Sequence, residues 1–283
     1  MAHFPSFTVA AIQMTPVLAD KEHNLAMSLA KIEEAAAAGA KLLVLPELCT
    51  TGYMYESREQ AFDLAEVIPS GPTVQAWIDA ARRHDVYIAG GMAEQEGVDL
   101  FNSVALVGPE GHIGTYRKNH LWGEEKLFFE PGNLGMPVFH TRIGRIGMVI
   151  CYDGWFPELY RLAALQGADI ICNCTNWVPQ ASTPANSLAM PNILAMAAAH
   201  CNRLNIICAD RCGSERGQDF IGQSVIVGPN GWLLAGPASA TEDTILYADV
   251  NIRRTRIGRQ MGSFNNIVGD RREDVYSLTH VGQ

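Results

Sequence analysis

The stretch Arg145-Ile146-Gly147-Met148-Val149-Ile150-Cys151-Tyr152-Asp153-Gly154-Trp155-Phe156-Pro157-Glu158 decides the fold. Arg145 to Ile150 is apolar at nearly every position, so it predicts a strand covered on both faces. Pro157 fits the first position of a helix, where its missing N–H costs nothing. The segment therefore reads as strand, tight turn, helix. A residue between the strand end and the helix start projects at a sheet edge, where backbone N–H groups face whatever binds. Cys151 occupies that place. Its residue type alone leaves two readings open: a small buried hydrophobe, or a nucleophile with an oxyanion hole beside it.

Outward from this segment the same alternation recurs. Downstream, the helix from Pro157 runs to Gly167, Asp169 to Cys174 is a strand, Ala189 to Arg203 a helix and Ile206 to Asp210 a strand. Upstream, Phe7 to Met14 is a strand, Asp20 caps a helix reaching Ala38 and stopped by Gly39, and Lys41 to Leu45 is a short buried strand ending at Pro46. Thr73 to His84 is a helix and Val86 to Gly91 a strand. Two hairpins, Phe101–Val107 with His112–Tyr116 and Val225–Val227 with Trp232–Ala235, turn on Gly-Pro-x-Gly segments and hint at an internal duplication. Ile245 to Val250 is the last strand. Apolar strands alternating with amphipathic helices predict an α/β fold with helices on the outer faces of two sheets. No composition break divides the chain, so 1–283 reads as one domain, with the polar, arginine-rich 251–283 as a tail that wraps the surface or reaches a neighbouring subunit.

Two further residues stand where strands end. Glu47 follows Leu42-Leu43-Val44-Leu45-Pro46, at the edge where open α/β sheets place ligands. A carboxylate there is partly desolvated, which raises its proton affinity and suits a general base. Lys118 ends the second strand of the first hairpin, where an ammonium would favour a thiolate and steady an oxyanion. Alone, each reads sooner as a capping glutamate or a solvated lysine.

Together, the motifs Leu45-Pro46-Glu47-Leu48, Tyr116-Arg117-Lys118 and Cys151-Tyr152-Asp153, followed by Phe156-Pro157-Glu158, resemble the nitrilase superfamily of carbon–nitrogen hydrolases. The resemblance runs from Val9-Ala10-Ala11-Ile12-Gln13 past Gly228-Pro229-Asn230-Gly231. It implies a four-layer αββα sandwich that pairs into homodimers or larger assemblies through its sheets and C-terminal tail. It matches Glu47 to the general base, Lys118 to the oxyanion-stabilising lysine and Cys151 to the nucleophile. A further glutamate seven or eight residues after the lysine is matched by Glu125, with Glu124 the alternative register. Pocket-wall residues fall at Asn176 and Trp177, and Tyr53, Trp122, Tyr152 and Trp155 are aromatic candidates. The expected substrate is a small amide, N-carbamoyl compound or nitrile. The residues after the nucleophile, Tyr152-Asp153 rather than Trp-Glu, lean toward the amidase and carbamoylase branches. Ala209-Asp210-Arg211-Cys212-Gly213 and Asp270-Arg271-Arg272-Glu273 lean toward a compact aliphatic nitrilase.

The bulk properties agree. A formal net charge of −9 without a basic cluster disfavours nucleic acid and anionic membranes as partners. Seven cysteines, mostly inside apolar runs, read as reduced thiols of a cytoplasmic protein. No run approaches the roughly 18 apolar residues of a membrane helix. Rival constellations are weak. His120 and His200 lack an evident orienting partner for a Cys–His pair. Cys172-Asn173-Cys174 lacks the spacing usual for structural zinc. The mechanism implied needs no metal or organic cofactor.

Overall fold

The structure is a computed structural model describing residues 6–180, 184 and 187–279. The ends of the 1–283 domain reading, residues 1–5 and 280–283, lie outside the described residues.

The first half contains β1 (Ser6–Gln13), α1 (Lys21–Ala37), β2 (Ala40–Val44), α2 (Arg58–Leu64), α3 (Pro72–His84), β3 (Tyr87–Glu96), β4 (Asp99–Gly108), β5 (Gly111–Arg117) and α4 (Glu125–Phe128). The second half contains β6 (Val138–Thr141), β7 (Gly144–Ile150), a 3-10 turn (Cys151–Trp155), α5 (Pro157–Leu165), β8 (Ile170–Thr175), α6 (Met190–Asn202) and β9 (Asn205–Asp210). The small pair β10 (Ser214–Glu215) and β11 (Gln218–Asp219) precedes β12 (Val225–Val227), β13 (Leu233–Ala235), β14 (Thr244–Asn251) and α7 (Ile252–Ile257). The predicted helix starts hold. The Asp20 side chain accepts the backbone N–H of His23 at 3.1 Å, and Pro157 opens α5.

Two six-stranded sheets form, in the orders β14-β1-β2-β3-β4-β5 and β13-β12-β9-β8-β7-β6. In the first, β1, β2 and β3 are parallel and the hairpin β4-β5 continues antiparallel. In the second, β7, β8 and β9 are parallel and β12-β13 continues antiparallel. The two sheets thus repeat one topology, which is the physical form of the duplication hinted at by the two hairpins.

Strand alternation sets the layers. Val9 and Ala11, Leu42 and Val44, and Val104 and Leu106 join one apolar cluster with β7, β8 and β9 of the other sheet. Ala10 and Ile12, Leu43, and Ala105 and Val107 face the opposite way, against Ile32 of α1 and Trp77 of α3. The second sheet packs on Leu159 and Ala163 of α5 and Ala195 and Ala199 of α6. The architecture is therefore the expected αββα sandwich, with an apolar seam between sheets. Cys172 and Cys174 lie in that seam, fully buried. Among the described residues no cluster of His, Cys, Asp or Glu could hold a metal ion, and no helix is long and apolar enough to cross a membrane.

Several short elements were absent from the sequence reading. β6 is a half-exposed edge strand with no apolar alternation. α2 buries only Ala61 and Leu64. α7 turns the start of the 251–283 tail into a helix that inserts Ile252 and Thr255.

Candidate active site

Four strand ends meet across the seam. Beyond β2, the turn carrying Glu47 is bolted to β3: the Gly91 N–H donates to Pro46 O at 3.1 Å and the Cys49 N–H to Gly91 O at 3.0 Å. A Cβ on residue 91 would stand 2.5 Å from Glu47 Cα, so only glycine lets the strand approach this closely. Beyond β5, the Lys118 N–H donates to Asn102 O at 2.8 Å. Beyond β7, Cys151 takes a left-handed backbone (φ +46°), an uncommon state for a non-glycine residue that marks a sharp elbow. Its N–H donates to Asn173 Oδ1 at 3.2 Å. Beyond β8 come Asn176 and Trp177.

The side chains form one buried network. Lys118 Nζ donates to Glu47 Oε1 at 2.7 Å and to Glu125 Oε1 at 2.6 Å. Asn102 Nδ2 donates to Glu47 Oε1 at 2.6 Å. Tyr53 Oη donates to Glu125 Oε1 at 2.6 Å, and the Trp122 N–H to Glu125 Oε2 at 3.2 Å. Asn176 Nδ2 donates to the Glu47 carbonyl at 2.9 Å. The Asn176 backbone N–H reaches the Cys151 sulfur, which also feels Glu47, Lys118 and Glu125 electrostatically. The sequence-predicted residues are thus brought together, and the two adjacent glutamates differ in placement: Glu125 is buried and bonded to Lys118, whereas Glu124 is exposed at the adjoining mouth.

Burial governs the proton affinities. It raises the Glu47 pKa from 4.5 to about 7, although Lys118 pulls it down. Burial and the Glu47 carboxylate push the Cys151 thiol well up, with Lys118 opposing them. The resting sulfur is therefore protonated and needs a base to become a nucleophile. Burial works against the Lys118 ammonium, but Glu125 and Glu47 more than offset it and hold the charge. Burial, then Glu125, keeps the Tyr53 phenol protonated as a donor.

The pocket over Cys151 is lined by Trp122, Tyr152, Trp155, Asn176, Trp177, Val178 and Gln180. Tyr152 packs edge-on against Trp122, with ring centroids 4.9 Å apart, and against Phe156 at 5.2 Å. Such contacts set a rigid aromatic wall.

Three supports went unrecognised in the sequence. Asn102 grips both Glu47, through its side chain, and Lys118, through its carbonyl; a polar residue inside the apolar strand Leu100 to Val107 was the available signal. Asp153 accepts the Ile150 N–H (3.1 Å), the Tyr116 hydroxyl (2.7 Å), the His120 N–H (3.0 Å) and lies 2.8 Å from His120 Nδ1. Glu215 accepts the N–H groups of Tyr53 and Met54 at 2.7 and 2.6 Å and pairs with buried Arg211 at 2.8 Å.

The four-layer sandwich thus buries a glutamate, a lysine and a cysteine together where strands of both sheets end. The chain matches the carbon–nitrogen hydrolase family over residues 8–260 and belongs to it. It is 42% identical to a nitrilase of Pyrococcus abyssi over 268 residues, covering 95% of this chain and 98% of that one. The carbon–nitrogen hydrolase of Helicobacter pylori G27 superposes with a TM-score of 0.86 at 26% identity, over 96% of this chain and 97% of that one. An amidase from Nesterenkonia sp. AN1, with acrylamide added at its active-site cysteine, superposes with a TM-score of 0.77 at 27% identity, over 95% and 98% of the two chains. The protein is a carbon–nitrogen hydrolase, of a family acting on small amides and nitriles.

Proposed function

We propose that the protein hydrolyses a small amide or N-carbamoyl compound through a thioester on Cys151. The observation that carries the reading is the Glu47–Lys118–Glu125 network, wholly buried, beside a thiol held protonated. Glu47 takes the thiol proton as sulfur bonds to the carbonyl carbon and the carbonyl electron pair moves onto oxygen. Lys118 and the Tyr152 N–H stabilise that oxyanion. As the oxyanion collapses the C–N bond breaks, and Glu47 gives its proton to the departing nitrogen. Water then attacks the thioester, losing a proton to Glu47. The C–S bond breaks, the acid leaves, and the proton returns to sulfur. Glu125 holds Lys118 in place, and Tyr53, Trp122, Tyr152, Trp155, Asn176 and Trp177 shape the substrate pocket. No residue role here calls on a metal or organic cofactor. The acrylamide adduct at the Nesterenkonia amidase's cysteine supports the choice of nucleophile.

A nitrile is the second reading, favoured by the 42% identity to the Pyrococcus abyssi nitrilase. The thiolate would then add to the nitrile carbon as the nitrogen takes a proton, giving a thioimidate; water would add to it and ammonia would leave, giving the same thioester. The intact Glu47, Lys118 and Cys151 set weighs against an inactive scaffold. The test is ammonia or amine release from amides, N-carbamoyl compounds and nitriles, with hydroxylamine added to trap a thioester as hydroxamate. Cys151→Ala abolishes every activity on this reading; activity surviving in that variant would exclude it. The exposed Ile257, Met261, Phe264, Val275 and Tyr276 support subunit contacts by 251–283 in a homodimer or larger assembly, which sedimentation of a chain shortened at Asn251 would test.

A further inference from the structure

Asp210 ends β9 within the motif Ala209-Asp210-Arg211-Cys212-Gly213, and it is a fully buried acid that the reaction above does not use. Its Oδ1 accepts the Trp177 N–H at 2.9 Å and the Thr175 hydroxyl at 2.8 Å. Its Oδ2 has no hydrogen-bond partner among the described residues. The Arg211 N–H also faces the carboxyl but donates to the Thr175 carbonyl at 3.3 Å. The Arg211 guanidinium is directed elsewhere, to Glu215 Oε2 at 2.8 Å and Pro16 O at 3.2 Å. The ionisable groups facing Asp210 are Glu47 beyond β2, the Cys208 thiol within β9 and the Cys212 thiol beyond it. Ser224, ahead of β12, and Gln13 of β1 close the remaining side without charge: Ser224 Oγ accepts the Asp210 N–H at 2.9 Å and donates to Gln13 Oε1 at 2.9 Å. An ionised Asp210 would thus have one bare oxygen and no paired cation, with the Glu47 carboxylate as a neighbour. A lone buried charge of that kind is far costlier than its neutral form. Burial accordingly holds the Asp210 pKa well above the ordinary 3.8.

We propose that Asp210 is a positioning residue that works as a neutral carboxylic acid, its Oδ1 seating the turn of Asn176 and Trp177 against Cys151. A protonated carboxyl has one carbonyl oxygen, which accepts, and one hydroxyl oxygen, which carries the proton. Oδ1 receives both donors and is the carbonyl; Oδ2 bears the proton. The seat matters because the turn touches the reacting centre. The Asn176 N–H reaches the Cys151 sulfur, and Asn176 Nδ2 donates to the Glu47 carbonyl at 2.9 Å. Fixing the Trp177 N–H on Oδ1 fixes the neighbouring Asn176 with it. Ionisation of Asp210 would set a second anion near Glu47, raise the proton affinity of both Glu47 and Cys151, and so hinder the thiolate. The position therefore calls for an uncharged acceptor oxygen. An asparagine supplies one, with its amide oxygen in the place of Oδ1 and its NH2 in the place of the protonated Oδ2.

The experiment compares the wild type with Asp210→Asn and Asp210→Leu. Melting temperature against pH tests the neutral acid. A folded pKa above 3.8 means that the contribution of Asp210 to stability is fully present below 3.8 and is lost as pH rises toward the folded value. Asparagine does not titrate, so Asp210→Asn should gain on the wild type steadily as pH rises from 3.8 toward neutrality. A constant gap, or one that moves the other way, overturns the inference. Turnover tests the seat. Asp210→Asn should keep kcat within threefold of the wild type, whereas Asp210→Leu, which offers the Trp177 N–H no acceptor, should lose tenfold or more. An asparagine variant as impaired as the leucine variant would show that the charge is needed, and a fully active leucine variant would show that the seat is not. Where Asp210→Leu fails to fold, both asparagine measurements still decide. The melting comparison needs no substrate, so an absence of turnover in the wild type would remove the hydrolase reading while leaving the state of Asp210 to be judged on its own.

Discussion

Asp153 Oδ1 receives His120 twice, from its backbone N–H at 3.0 Å and beside its ring Nδ1 at 2.8 Å. The other oxygen accepts the Ile150 N–H and the Tyr116 hydroxyl. Ile150 adjoins Cys151, while Tyr116 and His120 flank Lys118. One buried carboxylate therefore ties the nucleophile's elbow to the lysine's loop. Asp153→Asn must turn an NH2 toward one set of donors, losing about 1–3 kcal/mol per mismatched pair. The expected outcome is a fall in kcat at least tenfold with a smaller change in KM, measured by steady-state kinetics. A variant with wild-type kcat would refute the tie.

Lys118 is the only partner that neutralises both Glu47 Oε1 and Glu125 Oε1 among the described residues. Lys118→Ala leaves two carboxylates buried and unpaired, which costs about 3–5 kcal/mol. Urea unfolding at pH 8 should show that loss, and the loss should shrink as acidification through about 7 neutralises Glu47. Activity should vanish throughout.

The pH behaviour of Glu47 has two signs. As a base it works ionised, so kcat/KM should fall as the medium is acidified through about 7. For stability, its folded pKa lies above the ordinary 4.5, so its contribution is fully present below 4.5 and is lost as pH rises toward 7. Glu47→Gln does not titrate. The melting temperature of this inactive variant should therefore gain on the wild type as pH rises from 4.5 to 7. A constant difference across that range would contradict the raised pKa.

Gly91→Ala should push the Glu47 turn off β3, because the new methyl meets Glu47 Cα and the Pro46 carbonyl at 2.5 Å. Backbone cannot yield as a side chain does, and overpacking of this kind costs about 1–3 kcal/mol. Loss of both thermal stability and kcat is expected; near-normal kcat would show that the glutamate tolerates movement.

Glu215 orders the Tyr53 loop, and Arg211, whose guanidinium lies 4.1 Å from the Phe220 ring, orders Glu215. Glu215→Gln weakens the pair with Arg211 and should raise KM severalfold, with kcat less affected, since Tyr53 bonds Glu125 rather than the reacting atoms.

The candidate positions were legible because each follows a strand, Pro46-Glu47 after β2, Lys118 after β5 and Cys151 after β7, and because the three motifs together resemble one family. That pattern is local. The supports were not local. Asn102 serves the site only because the β4–β5 register places Ser103 opposite Arg117, bringing the Asn102 carbonyl beside the Lys118 N–H. Asp153 acts on residues more than thirty positions away. Glu125 and Glu124 are told apart only by burial, since adjacent glutamates in one turn look alike in sequence. The tail helix α7 was hidden by its arginines, of which Arg256 binds buried Asp169 at 2.7 Å.

The repeated topology of the two sheets has a consequence for how damage would be felt. Glu47 and Lys118 hang from one repeat, Cys151 and Asn176 from the other, so the reacting atoms are divided between halves that touch mainly through greasy residues. Turnover is thus a gauge of alignment between the halves. A lesion such as Val44→Ala or Met148→Ala, in the seam between the halves, would first be registered as a sluggish catalyst, well before it was registered as an unfolded one.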